Sequence, residues 1–384
     1  MKQRTTVAIA FACFAALVPR VFAQDSGQSA MPTITTQSTL VLVPALVHDK
    51  SGQLVFNLKA DDFALTDDGV PQKLRLEQDP GGQPLALVVC IEGGGAAAAK
   101  IDNFAPIISM LDAVAGGEPH RIAVVGFDSS PVLVTDFTAN NEAAERGIKA
   151  LIQDNNGDGG AAILDSLSFS LDLLRRQPPE YRRAILLVSE THDNGSHIAV
   201  DDAMRDLSDS NTAIYSIAFS SGISEAKFEA GKVSQPHTPG RAKGCFSRDP
   251  NDPNVDRSKS AAKQDAECLE ELAPPVVLAD ALTRLAYAAV RSRLEKNIPE
   301  TAARLTGGEY FTLGKQKQFE RDLLAISNHI SNRYLLSFQP QSPRVGYHAL
   351  RLSVPNYAHL EVSGRVGYWA EPAAAATPAP EAPR

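Results

Sequence analysis

The sequence has few cysteines, no cluster of basic residues and, beyond its first 23 residues, no long apolar run. A membrane-spanning helix needs about 20 consecutive apolar residues, and no such run follows residue 23. A surface that binds nucleic acid or anionic lipid needs clustered Lys and Arg, whereas this chain has 37 Lys and Arg against 45 Asp and Glu. The sequence thus predicts neither a membrane span after residue 23 nor a nucleic-acid partner, and it contains no evident internal repeat.

The first 23 residues are typical of a secretory signal peptide. Lys2 and Arg4 supply positive charge, and residues 7–18 form an apolar stretch that is too short to span a bilayer. Cleavage after Ala23 would leave 34 Lys and Arg against 45 Asp and Glu, a formal charge of −11. We therefore expect a soluble, extracytoplasmic protein, either periplasmic or secreted.

Three of the four cysteines lie beyond the signal peptide. Cys90 ends an apolar run, which predicts a buried free thiol. Cys245 and Cys268 flank a polar stretch that has little else to order it, and in an oxidising compartment we expect them to form a disulfide. A zinc site is the alternative, although no second Cys pair or His pair completes one.

Between residues 85 and 219 the chain alternates apolar runs with amphipathic segments. Such a pattern indicates a mainly parallel sheet covered by helices on both faces. The predicted fold class is therefore α/β, with a doubly wound, Rossmann-like sheet over residues 83–330 and an insertion over 221–275. Strands are predicted at 85–91, 121–127, 132–135, 184–189, 213–219 and 307–313, and helices at 99–115, 139–152, 162–176, 199–210, 276–295 and 316–331.

Both ends of the chain have antiparallel β patterning, in residues 38–80 and 332–369. Neither set of strands is large enough to bury a core alone, so we expect them to form one small discontinuous β unit. Residues 24–37 and the Ala/Pro-rich tail 370–384 are expected to be disordered. The strands of the β unit are predicted at 38–49, 54–58, 71–78, 332–340, 347–355 and 359–369.

A glycine-rich loop follows the first strand of the predicted parallel sheet. Residues 93–98 fit the pattern G-x-G-x-x-A, in which a helix N-terminus holds a pyrophosphate. The acidic residue that ends the next strand, Asp128, lies about 30 residues past the loop, rather than the ~20 of dinucleotide-binding folds. A nucleotide-binding enzyme is therefore the less favoured interpretation of this loop.

Seven phrases along the chain are informative as a set. They are ADDFALTDDGVPQ (60–72), PLALVVCI (84–91), GGAAILDSL (159–167), AILLVSETHDNGS (184–196), LTGGEYF (305–311), RYLLSFQP (333–340) and GRVGYW (364–369). Each phrase is weak alone, but their order covers residues 38–370. Together they resemble the von Willebrand factor A domain family, specifically its subgroup of VWFA-related acidobacterial domain proteins.

The resemblance implies a divalent-cation site with a degenerate ligand set. In this family the first loop carries Asp-x-Ser-x-Ser, the second a threonine and the third Asp-Gly-x-Asp, and their oxygens hold a hard cation. The corresponding positions here are Glu92, Gly94, Ala96, Ala161, Glu190 and Asp193. Three hydroxyls are absent and two carboxylates are one methylene longer. We therefore expect a vestigial site and no cofactor, with at most a loosely held divalent cation.

A calcium loop and a catalytic group are two weaker hypotheses. Residues 154–165 have EF-hand-like spacing, but Asp165 stands where a bidentate Glu is usual, and a polar turn is favoured. Ser189, His192 and His197 lie close in sequence without the turn that presents a nucleophile. We expect no catalytic site and no enzyme activity.

The resemblance further implies non-catalytic binding of a protein partner by loops at the carboxyl ends of the strands. Without a metal, recognition would rest on direct contacts with these loops and with the insertion. Structural membership of an envelope assembly is the alternative function. The candidate residues of the binding face are Gly93, Gly95, Asp128, Thr191, His192 and Asn194.

Overall fold

The computed structural model describes residues 40–77, 83–94, 97, 104–114, 119–153, 157–219, 275–340 and 344–370. All of them belong to one compact unit, Ser38–Ala374. The predicted signal peptide, the predicted Cys245–Cys268 disulfide and residues 221–274 of the predicted insertion lie outside the described residues.

The described residues form strands and helices whose bounds follow in chain order. The strands are β1 (Val41–Asp49), β2 (Ala64–Asp67), β3 (Val70–Gln72), β4 (Arg75–Glu77), β5 (Leu85–Glu92), β6 (His120–Phe127), β7 (Pro131–Thr138), β8 (Arg182–Glu190), β9 (Ala213–Phe219), β10 (Tyr310–Thr312), β11 (Tyr334–Phe338), β12 (Gly346–Ser353), β13 (Leu360–Gly364) and β14 (Gly367–Ala370). The helices are α1 (Ala105–Val114), α2 (Asn141–Gln153), α3 (Ile163–Arg175), α4 (Val200–Asp209), α5 (Pro275–Lys296), α6 (Ile298–Thr306) and α7 (Gln316–Ser331). No helix in this part of the chain combines the length and the apolarity that crossing a bilayer requires.

A six-stranded sheet in the order β10-β9-β8-β5-β6-β7 lies at the centre of the molecule. All neighbouring strands are parallel except β6 and β7, which are antiparallel. Every residue of β5 is buried because helices cover both faces of the sheet. The predicted α/β class with a doubly wound, mainly parallel sheet is confirmed.

The two faces of this sheet have separate apolar cores. Side chains alternate along a strand, so Leu87 and Val89 of β5 pack with α1, α2 and α7, whereas Val88 and Cys90 pack with α3, α4, α5 and α6. Cys90 is a fully buried free thiol, as predicted, and burial raises its pKa to about 12. The thiol therefore behaves as a small apolar side chain.

Strands from both ends of the chain pair in two further antiparallel sheets. One sheet has the order β13-β1-β11-β4 and the other the order β14-β12-β2-β3. Val43 and Leu65 from the amino-terminal strands pack with Leu336, Phe338 and Leu350 from the carboxyl-terminal strands. A single apolar core therefore contains residues from both chain ends.

Five details of the predicted elements need correction. Residues 54–58 form no strand, because Tyr334 Oη donates to the Val55 carbonyl over 2.8 Å and accepts the Leu58 N–H over 3.1 Å. The predicted strand 71–78 is two short strands, β3 and β4, in different sheets, and 359–369 is likewise split into β13 and β14. Strand β2 and helix α6 were not predicted at all.

Candidate functional site

The carboxyl ends of β5 and β8 place two buried carboxyl groups side by side. Glu92 ends β5 and is fully buried, and Glu190 ends β8 and is 4% exposed. The Glu190 backbone N–H donates to Glu92 Oε2 over 2.7 Å, whereas no described residue bonds Glu92 Oε1. Burial, reinforced by the charge of Glu190, holds the pKa of Glu92 well above its usual range. Burial thus favours the neutral acid at this position.

Close backbone packing fills the space beside the glycine-rich loop. A Cβ on Gly94 would lie 2.7 Å from the Asp158 carbonyl oxygen and 2.8 Å from that of Gly160. A Cβ on Gly157 would lie 2.5 Å from the Gly93 carbonyl oxygen. These neighbours are backbone atoms, so they cannot move aside as the end of a flexible side chain can. A serine at position 94, the residue typical of the resembling family, does not fit this packing.

Direct hydrogen bonds join the loops after β6 and β8 to the loop before α3. Asp158 accepts the Ser129 N–H over 3.2 Å and also a bond from Ser129 Oγ, and the Asp158 N–H donates to Asp128 Oδ2 over 3.4 Å. Ala161 and Asn194 exchange two backbone hydrogen bonds, of 2.8 and 2.9 Å. Ala161 is fully buried, so the position of the family's threonine belongs to the core.

The Asp193 carboxylate closes the amino end of α3. Its Oδ1 accepts the Leu164 N–H over 3.1 Å and Ser196 Oγ over 2.6 Å, and its Oδ2 accepts the Ser196 N–H over 3.1 Å. The first N–H groups of a helix lack intrahelical partners, so an acceptor at this place acts as a cap. Asp165, in the first turn of α3, holds the loop between β8 and α4 by accepting the Ile198 N–H over 2.9 Å.

We name residues 92–94, 128–131, 157–165 and 190–197 the loop face. It contains every predicted ligand position that the structure describes, but Glu92, Glu190 and Asp193 do not bring three donor atoms within 4.8 Å of one another. The positions Gly95 and Ala96 lie outside the described residues. The remaining predicted binding residues lie on the loop face; they are Gly93, Asp128, Thr191, His192 and Asn194.

The three catalytic candidates each engage a different neighbour. Ser189 is buried, and its Oγ donates to the Glu190 carbonyl over 2.9 Å. His192 Nδ1 lies 2.8 Å from Thr191 Oγ1, and His197 Nδ1 lies 3.1 Å from Asp165 Oδ2. In the EF-hand-like segment, Asp165 is likewise occupied by the loop before α4. The loop face therefore offers polar contacts rather than an assembled catalytic group.

A second polar group lies in the β unit, where the sequence analysis proposed no site. Asp67 ends β2, Asp68 follows it in the turn, and His348 lies in β12. One donor atom of each lies within 4.8 Å of the other two, the only such group of three found in the described ranges. His348 is 4% exposed and Asp67 is 7% exposed. We name these three residues the histidine cluster.

The histidine ring is held on three sides. Its Nδ1 lies 3.1 Å from Asp67 Oδ1 and 3.1 Å from Asp68 Oδ2. Its Nε2 lies 2.8 Å from the Arg344 carbonyl oxygen, and its face stacks on Tyr368 at a centroid distance of 4.8 Å. Because a carbonyl can only accept a hydrogen bond, Nε2 carries a hydrogen. Nδ1 is thus the atom that faces the carboxylates.

Each carboxylate is also held at its other oxygen. Tyr368 Oη donates to Asp67 Oδ2 over 2.8 Å, and the Ala349 N–H donates to Asp68 Oδ1 over 2.9 Å. Arg344 Nη2 donates to Asp68 Oδ2 over 2.8 Å from a side chain that is 40% exposed. Both carboxylates therefore present a fixed oxygen to the histidine.

Charge balance determines the protonation of the histidine cluster. Burial alone would lower the pKa of His348, but its hydrogen bonds to Asp67 and Asp68 outweigh burial and raise the pKa to about 10. The same contacts, with the Ala349 N–H, lower the pKa of Asp68 to about 2 against the opposing effect of burial. These contacts favour an imidazolium ion between two carboxylates.

Comparison with known proteins finds similarity at the level of solved structures. No protein-family profile and no curated protein matches the sequence. The SpRpn10 VWA domain is 14% identical and covers 37% of this chain and 78% of its own, with a TM-score of 0.28. An aerotolerance-related membrane protein from Bacteroides fragilis NCTC 9343 is 14% identical. The match covers 64% of this chain and 98% of that protein, with a TM-score of 0.34. The PilB minor pilin from Streptococcus sanguinis is 12% identical. The match covers 67% of this chain and 64% of the pilin, with a TM-score of 0.37.

Proposed function

We propose that this chain is a non-catalytic protein-binding module of von Willebrand factor A-like type, whose loop face binds a partner without a bridging cation. The observation that carries this proposal is the way in which the loops are joined. Asp193 caps α3, Ala161 pairs with Asn194, and backbone packs against Gly94. In the resembling family a cation holds the corresponding loops, whereas here direct hydrogen bonds hold them.

Several polar residues of the loop face are exposed or partly exposed to solvent. Ser130 and Asn194 are exposed, and Thr191 and His192 are partly exposed. A face whose loops are already joined loses little conformational freedom on binding, which favours affinity. The location that we propose, outside the cytoplasm, rests on the signal-peptide pattern of residues 1–23.

The test is site-specific photocrosslinking in cells that produce the full chain. A photoreactive phenylalanine analogue replaces Ser130 on the loop face or, as the matched control, Glu180, which is exposed in the turn before β8 at the opposite edge of the sheet. We expect a discrete crosslinked protein from position 130, none from position 180, and the same yield in the presence of EDTA.

Two results would contradict the proposal. Equal crosslinking from positions 130 and 180 would mean that the loop face is not the binding surface. A product from position 130 that EDTA abolishes and Mg²⁺ restores would mean that a cation takes part in binding.

A further inference from the structure

The histidine cluster has the donor set and the arrangement of a small metal centre. Its three ligand atoms are one imidazole nitrogen and two carboxylate oxygens, a mixed nitrogen and oxygen set that suits Zn²⁺. Two donors that each lie about 2.1 Å from one zinc ion are about 3.0–3.4 Å apart for bond angles of about 90–110°. The two separations of 3.1 Å from His348 Nδ1 fall in that range.

The contacts around these donors match those of metal sites in proteins. A ligating histidine usually donates its second ring N–H to a carbonyl or carboxylate, and ligating carboxylates are themselves hydrogen-bonded. Here His348 Nε2 contacts the Arg344 carbonyl, Asp67 Oδ2 accepts from Tyr368, and Asp68 Oδ1 accepts from Ala349. All three donors are therefore oriented by neighbours before any ion enters.

The cluster is also reached from solvent. It lines one side of a groove of about 640 Å³ that runs between the ends of the two β-unit sheets. That volume admits an ion together with the water molecules that complete its coordination. A zinc site with three protein ligands and an accessible position has this form.

We propose that Asp67, Asp68 and His348 form a Zn²⁺ site, in which the ion replaces the two positive groups that now face the carboxylates. These groups are the proton on His348 Nδ1 and the guanidinium of Arg344. The proton leaves when the ion binds, and the partly exposed Arg344 side chain swings into the groove. Because Asp67 and Asp68 lie in the amino-terminal segment and His348 in the carboxyl-terminal one, the ion joins the two ends of the chain.

The test is zinc titration of the untagged full chain, by calorimetry at pH 8 and by the visible spectrum of the Co²⁺ form. The background carries Cys245→Ser and Cys268→Ser, which removes the other zinc candidate in the sequence. We expect one ion per chain. Tyr368→Phe, which keeps all three ligands, should weaken binding by about 10–100-fold because it frees the outer oxygen of Asp67.

Arg344→Gln is the variant that separates this proposal from a purely structural cluster. It removes the positive charge that competes for Asp68 Oδ2, so it should tighten zinc binding by about tenfold. Asp68→Asn should abolish binding, with folding checked by circular dichroism. His197→Ala is the matched control for adventitious binding at an exposed His–Asp pair, and it should leave the affinity unchanged.

Each outcome of these titrations either supports or overturns the zinc site. A single site that is lost in Asp68→Asn and tightened in Arg344→Gln supports the zinc centre. Absence of binding in both the parent and Arg344→Gln would show that only a proton fills the cluster and would overturn the proposal. Binding that survives Asp68→Asn and His348→Gln together would place the ion elsewhere and would overturn it equally.

Discussion

The loop face and the histidine cluster are both rich in carboxylates, but the hydrogen-bond partners of these carboxylates differ. On the loop face, Asp158, Asp165 and Asp193 accept mainly backbone and hydroxyl hydrogens from neighbouring loops. In the histidine cluster, Asp67 and Asp68 each direct one oxygen at the same imidazole nitrogen. The first arrangement joins loops and consumes its acceptors, whereas the second concentrates charge at one point.

This difference shows that a count of acidic residues does not reveal how their oxygens are bonded. The resemblance implies a cation site at the loop face, but the carboxylates there bond to atoms of different loops. The histidine cluster stands where the resemblance implies no site, but its donors converge. The hydrogen-bond partner of each carboxylate oxygen determines whether that oxygen is available to a ligand.

The largest expected effect comes from removing the imidazole. His348→Ala would leave Asp67 without a positive partner and Asp68 with only the partly exposed Arg344 guanidinium, and loss of one member of a buried charge group costs about 3–5 kcal/mol. We expect that decrease in the free energy of unfolding, measured by urea denaturation at pH 7. A decrease below about 1 kcal/mol would mean that the cluster is hydrated and that the contrast with the loop face is smaller than described.

The next effect tests the close packing of the loop face. Gly94→Ala places a Cβ against two backbone oxygens, and overpacking of this kind costs about 1–3 kcal/mol. The matched control is Gly159→Ala in the facing loop, where a Cβ meets nothing within 4 Å. We expect urea denaturation to show a loss for position 94 and almost none for position 159. Equal results at both positions would mean that the loops are not packed on each other.

A third effect concerns the buried acid of the loop face and depends on pH. The folded-state pKa of Glu92 is raised, so between its unfolded value of 4.5 and its folded value the folded chain binds more protons, and stability falls as the pH rises. Glu92→Gln removes this dependence. We expect its stability relative to the parent to increase from about pH 4.5 upward, by ~1.4 kcal/mol per pH unit. Parallel pH–stability curves for the two proteins would contradict this prediction.

The smallest expected effect is the response of the loop face to Mg²⁺ or Mn²⁺. A site of micromolar affinity would add about 4 kcal/mol at millimolar metal, which a thermal melt would detect easily. We expect almost no shift in Tm from these ions, in the parent and in Asp193→Ala alike. A shift that Asp193→Ala or Glu92→Gln removes would show that the loop face still binds a cation.

Much of the parallel sheet could be predicted because each of its elements carries a local signal. The eight residues of β5 are almost continuously apolar, as a strand buried on both faces requires. Helix α6 was missed although its signals are present. Asn297 accepts the Glu300 N–H as the N-cap, Pro299 lies in the first turn, and Gly307 ends the helix with a φ of 73°. A single residue separates α6 from α5, so the sequence pattern predicts only one helix, at 276–295, followed by a break.

The β unit was harder to predict because its strands are defined by distant partners. Residues 71–77 have one alternating pattern, yet β3 and β4 bond to different sheets. The same difficulty hid the histidine cluster, since His348 lies 281 residues from Asp67. Each segment carries one weak signal: an Asp-Asp-Gly turn at 67–69, and a histidine that shares its strand face with Leu350 and Leu352.

The bonding of the loop face could not be predicted from the sequence. That Glu92, Gly94, Ala161 and Asp193 are positions of a degenerate ligand set stays a prediction. The cap that Asp193 makes on α3 and the packing of the 157–160 backbone on Gly94 depend on how three loops meet. Local sequence does not contain that information.

The place of β1 in its sheet has a consequence for how the protein is made. Val41 pairs with Phe338 and Ala45 pairs with Gly364, so β1 lies between two strands that are synthesised last. A chain that emerges from the ribosome or from a translocation pore exposes β1 with both edges open, and open edges invite aggregation. We therefore expect β1 to stay without either partner strand until residues 334–364 have been made. A chain interrupted before residue 334 would keep an unpaired apolar strand near its start.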